Sequence, residues 1–206
     1  MLTLYDNLDS GNAYKVRWIL AQRGLKFKRI ETSVDDGSTQ TAEFLALNPN
    51  GKIPTLVLED GTVLTESNAI LLHFADGTSF WPSERLDQTR VLQWMFFEQY
   101  THEPSIAVSR FIRTHLADDH PRRAELEALQ VKGHKALAVM EKQLSENGGW
   151  FVGDGATAAD IALYAYTHVA DEAGFDLAPY PAIRGWLAAI AALPGHVSLS
   201  WDGVSG

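Results

Sequence analysis

Apolar positions in the first 76 residues change period several times. Leu2 to Tyr5 is a short apolar stretch of strand type, and Asp6 to Gly11 is a polar, glycine-containing loop. From Asn12 to Arg23, Ala13, Val16, Ile19 and Leu20 fall at helical spacing with Lys15, Gln22 and Arg23 off that face, and Gly24 ends the helix. Phe27 to Thr32 predicts a second strand, and Thr41 to Leu47 a short helix. A strand then enters through Ile53-Pro54, and Asp60-Gly61 predicts a two-residue type I′ hairpin turn, with positive φ at both central positions. A further strand runs through Leu64, and a helix from Glu66 to Phe74. This βαβ-ββα order predicts a four-stranded mixed sheet with helices on its faces, the first two strands parallel and the hairpin antiparallel.

The pattern then becomes helical throughout. A linker over 77–86 carries Trp81-Pro82, and residues 87–206 read as an all-helical second domain after a first domain over 1–76. Leu86 to Leu116 is one long helical pattern that Pro104 should kink or break. Pro121 suits the start of a helix running to Asn147, and Ala182 to Leu193 predicts another. Thr157-Ala-Ala-Asp160 has capping-box spacing and reads as structural. Trp94, Met95, Phe96, Phe97, Tyr100 and Phe111 crowd one helix, and most of them are expected in the core.

Composition narrows the chemistry. Apolar residues make up 46% of the chain, so it is globular, and no apolar run reaches the roughly 18 residues of a membrane span. With a net charge of −9 and no signal-peptide pattern, it reads as a soluble, cytoplasmic protein that does not bind nucleic acid or membrane. There is no cysteine, so any reacting thiol must arrive on a ligand. His115, Asp118, Asp119 and His120 form the densest ligand-type cluster, read as a solvated acidic turn; no metal is expected. Between Asn48 and Ser67, extended backbone beside a helix start offers main-chain groups that can hold a small peptide.

Asn-Pro-Asn-Gly-Lys-Ile-Pro at 48–54, Glu66-Ser67 before Asn-Ala-Ile, and Phe151-Val-Gly-Asp-Gly-Ala-Thr-Ala-Ala-Asp160 together resemble the glutathione transferase family. Ser10-Gly-Asn12 further resembles its bacterial serine-type branch, which includes members that reduce disulfides. The resemblance spans nearly the whole chain. It implies a thioredoxin-like domain followed by a helical second-substrate domain, glutathione as co-substrate, a small hydrophobic electrophile or disulfide as partner substrate, and a homodimer. It also implies a cis Ile53-Pro54 bond, with the Ile53 backbone paired to the cysteinyl unit of glutathione. Lys52 would face the glycyl carboxylate, with Thr39 or Gln40 assisting. Ser67 would hold the γ-glutamyl carboxylate and Glu66 the ammonium, although Thr65, Ser67 and Asn68 are also ordinary capping types.

The resemblance assigns catalysis to Ser10 aided by Asn12. Moving a thiol from ~8.5 to ~6.5 takes about 2.7 kcal/mol. A hydrogen bond to a charged group contributes roughly 1.5–3 kcal/mol and a helix N-terminus about 0.3–1 kcal/mol, so one hydroxyl at a helix start is nearly sufficient. Tyr5 is the rival hydroxyl, and Asn12 is alternatively a plain helix cap. The expected activity is glutathione transfer to an electrophile or disulfide. The alternatives are glutathione-dependent disulfide or peroxide reduction, and a scaffold that binds glutathione without catalysis.

Overall fold

The computed structural model describes residues 1–203, which form two compact units: Met1–Asp76 with residues 194–203, and Gly77–Leu193. The expected second domain, 87–206, therefore gives up residues 194–203 to the first. The link is local to unit one: Tyr14 Oη donates to the Val197 carbonyl (2.7 Å), Arg17 Nη2 to that of Leu199 (2.6 Å), and Phe27 meets the Trp201 ring edge-on. This tail is mostly loop, and no helical or strand period marks it.

In the first unit, β1 (Leu2–Asp6), α1 (Gly11–Gln22), β2 (Phe27–Glu31), α2 (Ala42–Leu47), β3 (Thr55–Val57), β4 (Val63–Thr65) and α3 (Ser67–Ala75) follow in order. The sheet order is β2-β1-β3-β4, with β1 and β2 parallel and the other two pairs antiparallel. Alternation in β1 turns Leu2, Leu4 and Asp6 inward, and Leu2 and Leu4 pack with Val16, Leu20, Leu56 and Ile70. The connection from β3 to β4 departs from the expected type I′ turn. Gly61 is at φ 87°, but Asp60 is not in the positive-φ region; Gly61 N bonds Leu58 O (3.0 Å) and Leu58 N bonds Thr62 O (2.8 Å). This is a three-residue loop, a turn followed by a left-handed glycine, and Asp60 Oδ1 accepts from Thr62 N (2.9 Å) to fix it.

The second unit holds α4 (Arg85–Phe97), α5 (Glu103–His115), α6 (Leu126–Glu146), α7 (Ala158–Thr167) and α8 (Pro181–Ala191). The long pattern around Pro104 is interrupted, as expected, by a π-helical turn over Glu98–His102, which leaves the proline early in α5, where its missing N–H costs little. The helix expected from Pro121 begins instead as a 3-10 turn over Pro121–Glu125. Every residue of α7 is buried, and Gly133 on α6 is what lets Phe175 in: a Cβ there would lie 2.3 Å from its ring. Of the six crowded aromatics and methionine only Met95 is buried, whereas Phe96 is 71% and Tyr100 90% exposed. With Gln93, Phe97, Gln99 and Thr101 they line an open groove of about 630 Å³. Helical spacing was right, but the buried stripe runs along Val91 and Met95 instead.

Asp118 pairs with Arg123 (2.9 Å) and the His120 ring accepts from Arg122 N (3.2 Å). Among the described residues no group of three His, Cys, Asp or Glu side chains is placed to hold a metal ion, and no helix is long and apolar enough to cross a membrane.

Candidate functional site

The sheet register gathers the predicted residues at one end of the first unit. Tyr5 is opposite Thr55, and Thr55 opposite Thr65, so the β1–α1 loop, the Ile53-Pro54 entry to β3 and the β4–α3 turn share that edge.

The β1–α1 loop is pinned from beneath by Arg17, a residue that the helical pattern of the sequence did not single out. Its guanidinium pairs with Asp6, both side chains wholly buried, and donates to the carbonyls of Asn7 (3.3 Å) and Leu8 (3.1 Å). Burial raises the Asp6 carboxyl above its ordinary value, an effect the Arg17 charge opposes. Ser10 then caps α1: its Oγ accepts from Ala13 N at 3.2 Å. An oxygen that accepts this bond still has its own proton to donate. Asn12 is not the cap. It lies one residue inside the helix, where its side chain meets Lys15 and Ser67. Tyr5, the rival hydroxyl, projects to the other sheet face, where its ring meets Phe44 of α2 edge-on at 5.6 Å.

The Ile53-Pro54 peptide is cis. Asn48 organises the approach to it: its Nδ2 donates to Lys52 O (2.8 Å) and Thr55 Oγ1 (3.0 Å), while its Oδ1 accepts from Asn50 N (3.1 Å). Among the described residues the Ile53 backbone enters no hydrogen bond. Lys52 is exposed and Thr39 is buried; the Gln40 amide lies over Gly51. Gly51 is at φ 62°, and a Cβ there would come within 2.5 Å of Gln40 Nε2.

At the β4–α3 turn, Glu66 is exposed and adopts φ 66°, ψ 109°, a region that costs a non-glycine residue about 1–3 kcal/mol. No side chain caps α3. Ser67 is buried, and its Oγ donates to Asn12 Oδ1 at 3.3 Å. Beneath them Lys15, also wholly buried, donates to Asn12 Oδ1 (2.9 Å), Asn68 Oδ1 (3.2 Å) and, at the long limit, Ser67 Oγ (3.5 Å). The structure thus brings Ser10, Asn12 and Ser67 to one edge, and leaves Lys52 and Glu66 pointing to solvent on it. Helical spacing assigned Lys15 to the polar face, and its burial is the correction. The signal was present in Asn12-x-x-Lys15, a polar pair one turn apart in a helix otherwise buried from Gly11 to Leu20.

Two family models match the chain, the Glutathione S-transferase N-terminal domain over residues 1–76 and the Glutathione S-transferase C-terminal domain over residues 100–194. The fold is similar to a crystal structure of a glutathione S-transferase from Pseudomonas fluorescens, at 52% identity and TM-score 0.93, covering 96% of this chain and 98% of that one. The Disulfide-bond oxidoreductase YfcG of Escherichia coli is 30% identical over 190 residues, 89% of this chain and 87% of that protein. Protein URE2 of Eremothecium gossypii is 27% identical over 223 residues, 89% of this chain; the chain spans 63% of that protein's length.

Proposed function

Because the chain belongs to the glutathione S-transferase family, we propose that it binds glutathione at this edge and activates its thiol for attack on a small electrophile or disulfide. The observation that carries this reading is the convergence of Ser10, Asn12 and Ser67 with an uncapped helix start and an Ile53 backbone that is unpaired among the described residues. Glutathione would run as an added strand along Ile53. Its γ-glutamyl carboxylate would take N–H groups at the start of α3 and the Ser67 hydroxyl, its ammonium would meet Glu66, and its glycyl carboxylate Lys52. The sulfur would then fall at the start of α1, where the Ser10 hydroxyl and the Asn12 amide donate to the thiolate and the helix end adds positive potential. The thiolate attacks the electrophile, and the proton lost from sulfur goes to solvent.

A second reading is favoured by the likeness to the E. coli disulfide-bond oxidoreductase. The same thiolate attacks a disulfide, forming a mixed disulfide and expelling one thiolate. A second glutathione then resolves it, so glutathione disulfide leaves and the substrate is reduced, with no protein cysteine needed. The chain is also proposed to act as a cytoplasmic homodimer through the helical unit, where Phe96 and Tyr100 are exposed; Tyr100→Asp should then give monomers in sedimentation.

The test is turnover and glutathione affinity in Ser10→Ala and Tyr5→Phe. Ser10→Ala should lose turnover and, because the thiolate is no longer favoured in the site, weaken glutathione by up to about tenfold at pH 7.5, while Tyr5→Phe keeps both. Loss of activity in Tyr5→Phe alone would overturn the assignment. Glutathione binding by wild type without turnover on any electrophile, disulfide or peroxide would leave a binding scaffold.

A further inference from the structure

The ammonium of Lys15 is enclosed between two helix starts. It donates to Asn12 Oδ1 of α1 at 2.9 Å and to Asn68 Oδ1 of α3 at 3.2 Å, with Ser67 Oγ at 3.5 Å closing the ring. An ammonium has only donors, so each amide it meets must turn its oxygen inward. The opposite end of Asn12, an NH2 that can only donate, then faces away from Lys15. Ser67 adds to this arrangement, since its hydroxyl also donates to Asn12 Oδ1 (3.3 Å).

Resting on the glutathione reading above, we propose that Lys15 is the positioning residue of the thiol site. It fixes the Asn12 amide with its NH2 toward the sulfur and ties that amide to Ser67, the residue for the γ-glutamyl carboxylate. Two physical effects follow. A hydrogen bond from a cation to the carbonyl end of an amide polarises it, so the NH2 end becomes a stronger donor to a thiolate. The buried charge also favours an anion nearby more than it would in water. Lys15 touches neither sulfur nor carboxylate; it acts through Asn12 and Ser67. Because one ammonium serves both, glutathione affinity and thiol acidity should be coupled through it, whereas a merely structural lysine would move neither in protein that remains folded.

The experiment compares wild type with Lys15→Met and Lys15→Gln. It follows glutathione affinity by calorimetry, the pKa of bound glutathione by its ultraviolet thiolate absorbance, and folding by thermal unfolding. In folded variants the bound thiol should titrate about one unit higher and affinity should fall roughly tenfold, with Gln between Met and wild type. Asn12→Asp supplies a test that does not empty the buried position. It should fold at least as stably as wild type, since the new carboxylate pairs with Lys15, yet raise the bound-thiol pKa by more than one unit, because the donor is gone and a like charge replaces it. Wild-type thiol pKa and affinity in folded Lys15→Met, or marked destabilisation in Asn12→Asp, would overturn this inference and leave the glutathione reading standing. Wild-type protein that binds no glutathione would overturn that reading and this inference with it.

Discussion

Two helix starts in this chain are written in similar residues and built in opposite ways. At α7, Thr157 and Asp160 close the capping box: Asp160 Oδ2 accepts from Thr157 N and Oγ1, both at 2.8 Å, and its Oδ1 from Trp186 Nε1 at 2.9 Å and Phe151 N at 3.5 Å. Each carboxylate oxygen is used inside the protein, and the start is buried. At α3, Thr65, Glu66, Ser67 and Asn68 are also capping or acidic types, yet no side chain caps the helix, and Glu66 is held at positive φ. A helix end that satisfies itself contributes stability, whereas one left open in a strained turn is a place for an anion to bind. The difference separates a structural motif from the proposed binding motif where residue type alone does not.

The largest way to sharpen that contrast is Asp160→Ala. It removes the cap and leaves the indole N–H of Trp186 and the amide of Thr157 buried without their acceptor, for a loss of about 3–5 kcal/mol in denaturant unfolding. Glutathione affinity of the protein that stays folded should not change.

The same carboxyl sets a pH dependence. Burial pushes Asp160 up to about 6 from 3.8, and the hydrogen bonds from Thr157, Trp186 and Phe151 only partly offset it. The folded state therefore holds this proton where the unfolded chain has lost it. Its contribution is complete below about pH 4 and disappears as pH rises through 6, a decline of roughly 2–3 kcal/mol. Unfolding measured from pH 4 to 7 should show this slope in wild type and lose it in Asp160→Asn.

Ser67→Ala should do the reverse of Asp160→Ala, weakening glutathione about tenfold, some 1.4 kcal/mol in calorimetry, while shifting the unfolding midpoint little. Equal effects of both substitutions on stability would erase the distinction between the two starts. The smallest effect is expected of Glu66→Gly, which relieves the positive φ. Stability should rise by about 1 kcal/mol, and affinity should drop as the carboxylate facing the ammonium is lost.

Much of this was legible from sequence because it depends on local chemistry. The βαβ-ββα order, Gly24 as helix stop, the capping box and the break near Pro104 follow from residue period and backbone preference. Burial of charged residues was not legible. Lys15 and Arg17 carry the two ends of the site from below, but a lysine or arginine on a helix reads as solvent-facing unless all its acceptors are known, and some of those are far along the chain: Asn68 for Lys15 and Leu199 for Arg17, beside nearer ones such as Asn12 and Asp6. The hairpin failed for a narrower reason. Asp-Gly suits both a type I′ turn and a three-residue loop, and only the Leu58–Thr62 pairing decides between them. Tyr5 and Asn12 were ambiguous until the sheet face and the position within the helix were fixed. The aromatics of α4 misled because helical spacing says which residues share a face, not whether that face is covered.

The central claim, that this edge holds glutathione as its thiolate, is tested most directly by the protons released on binding. Calorimetry at pH 7.5 in two buffers of different ionisation enthalpy counts them. A thiol moved from ~8.5 to ~6.5 should release about 0.8 proton per glutathione bound, falling towards zero in Ser10→Ala or Asn12→Ala. Binding without proton release in the wild type would contradict the account.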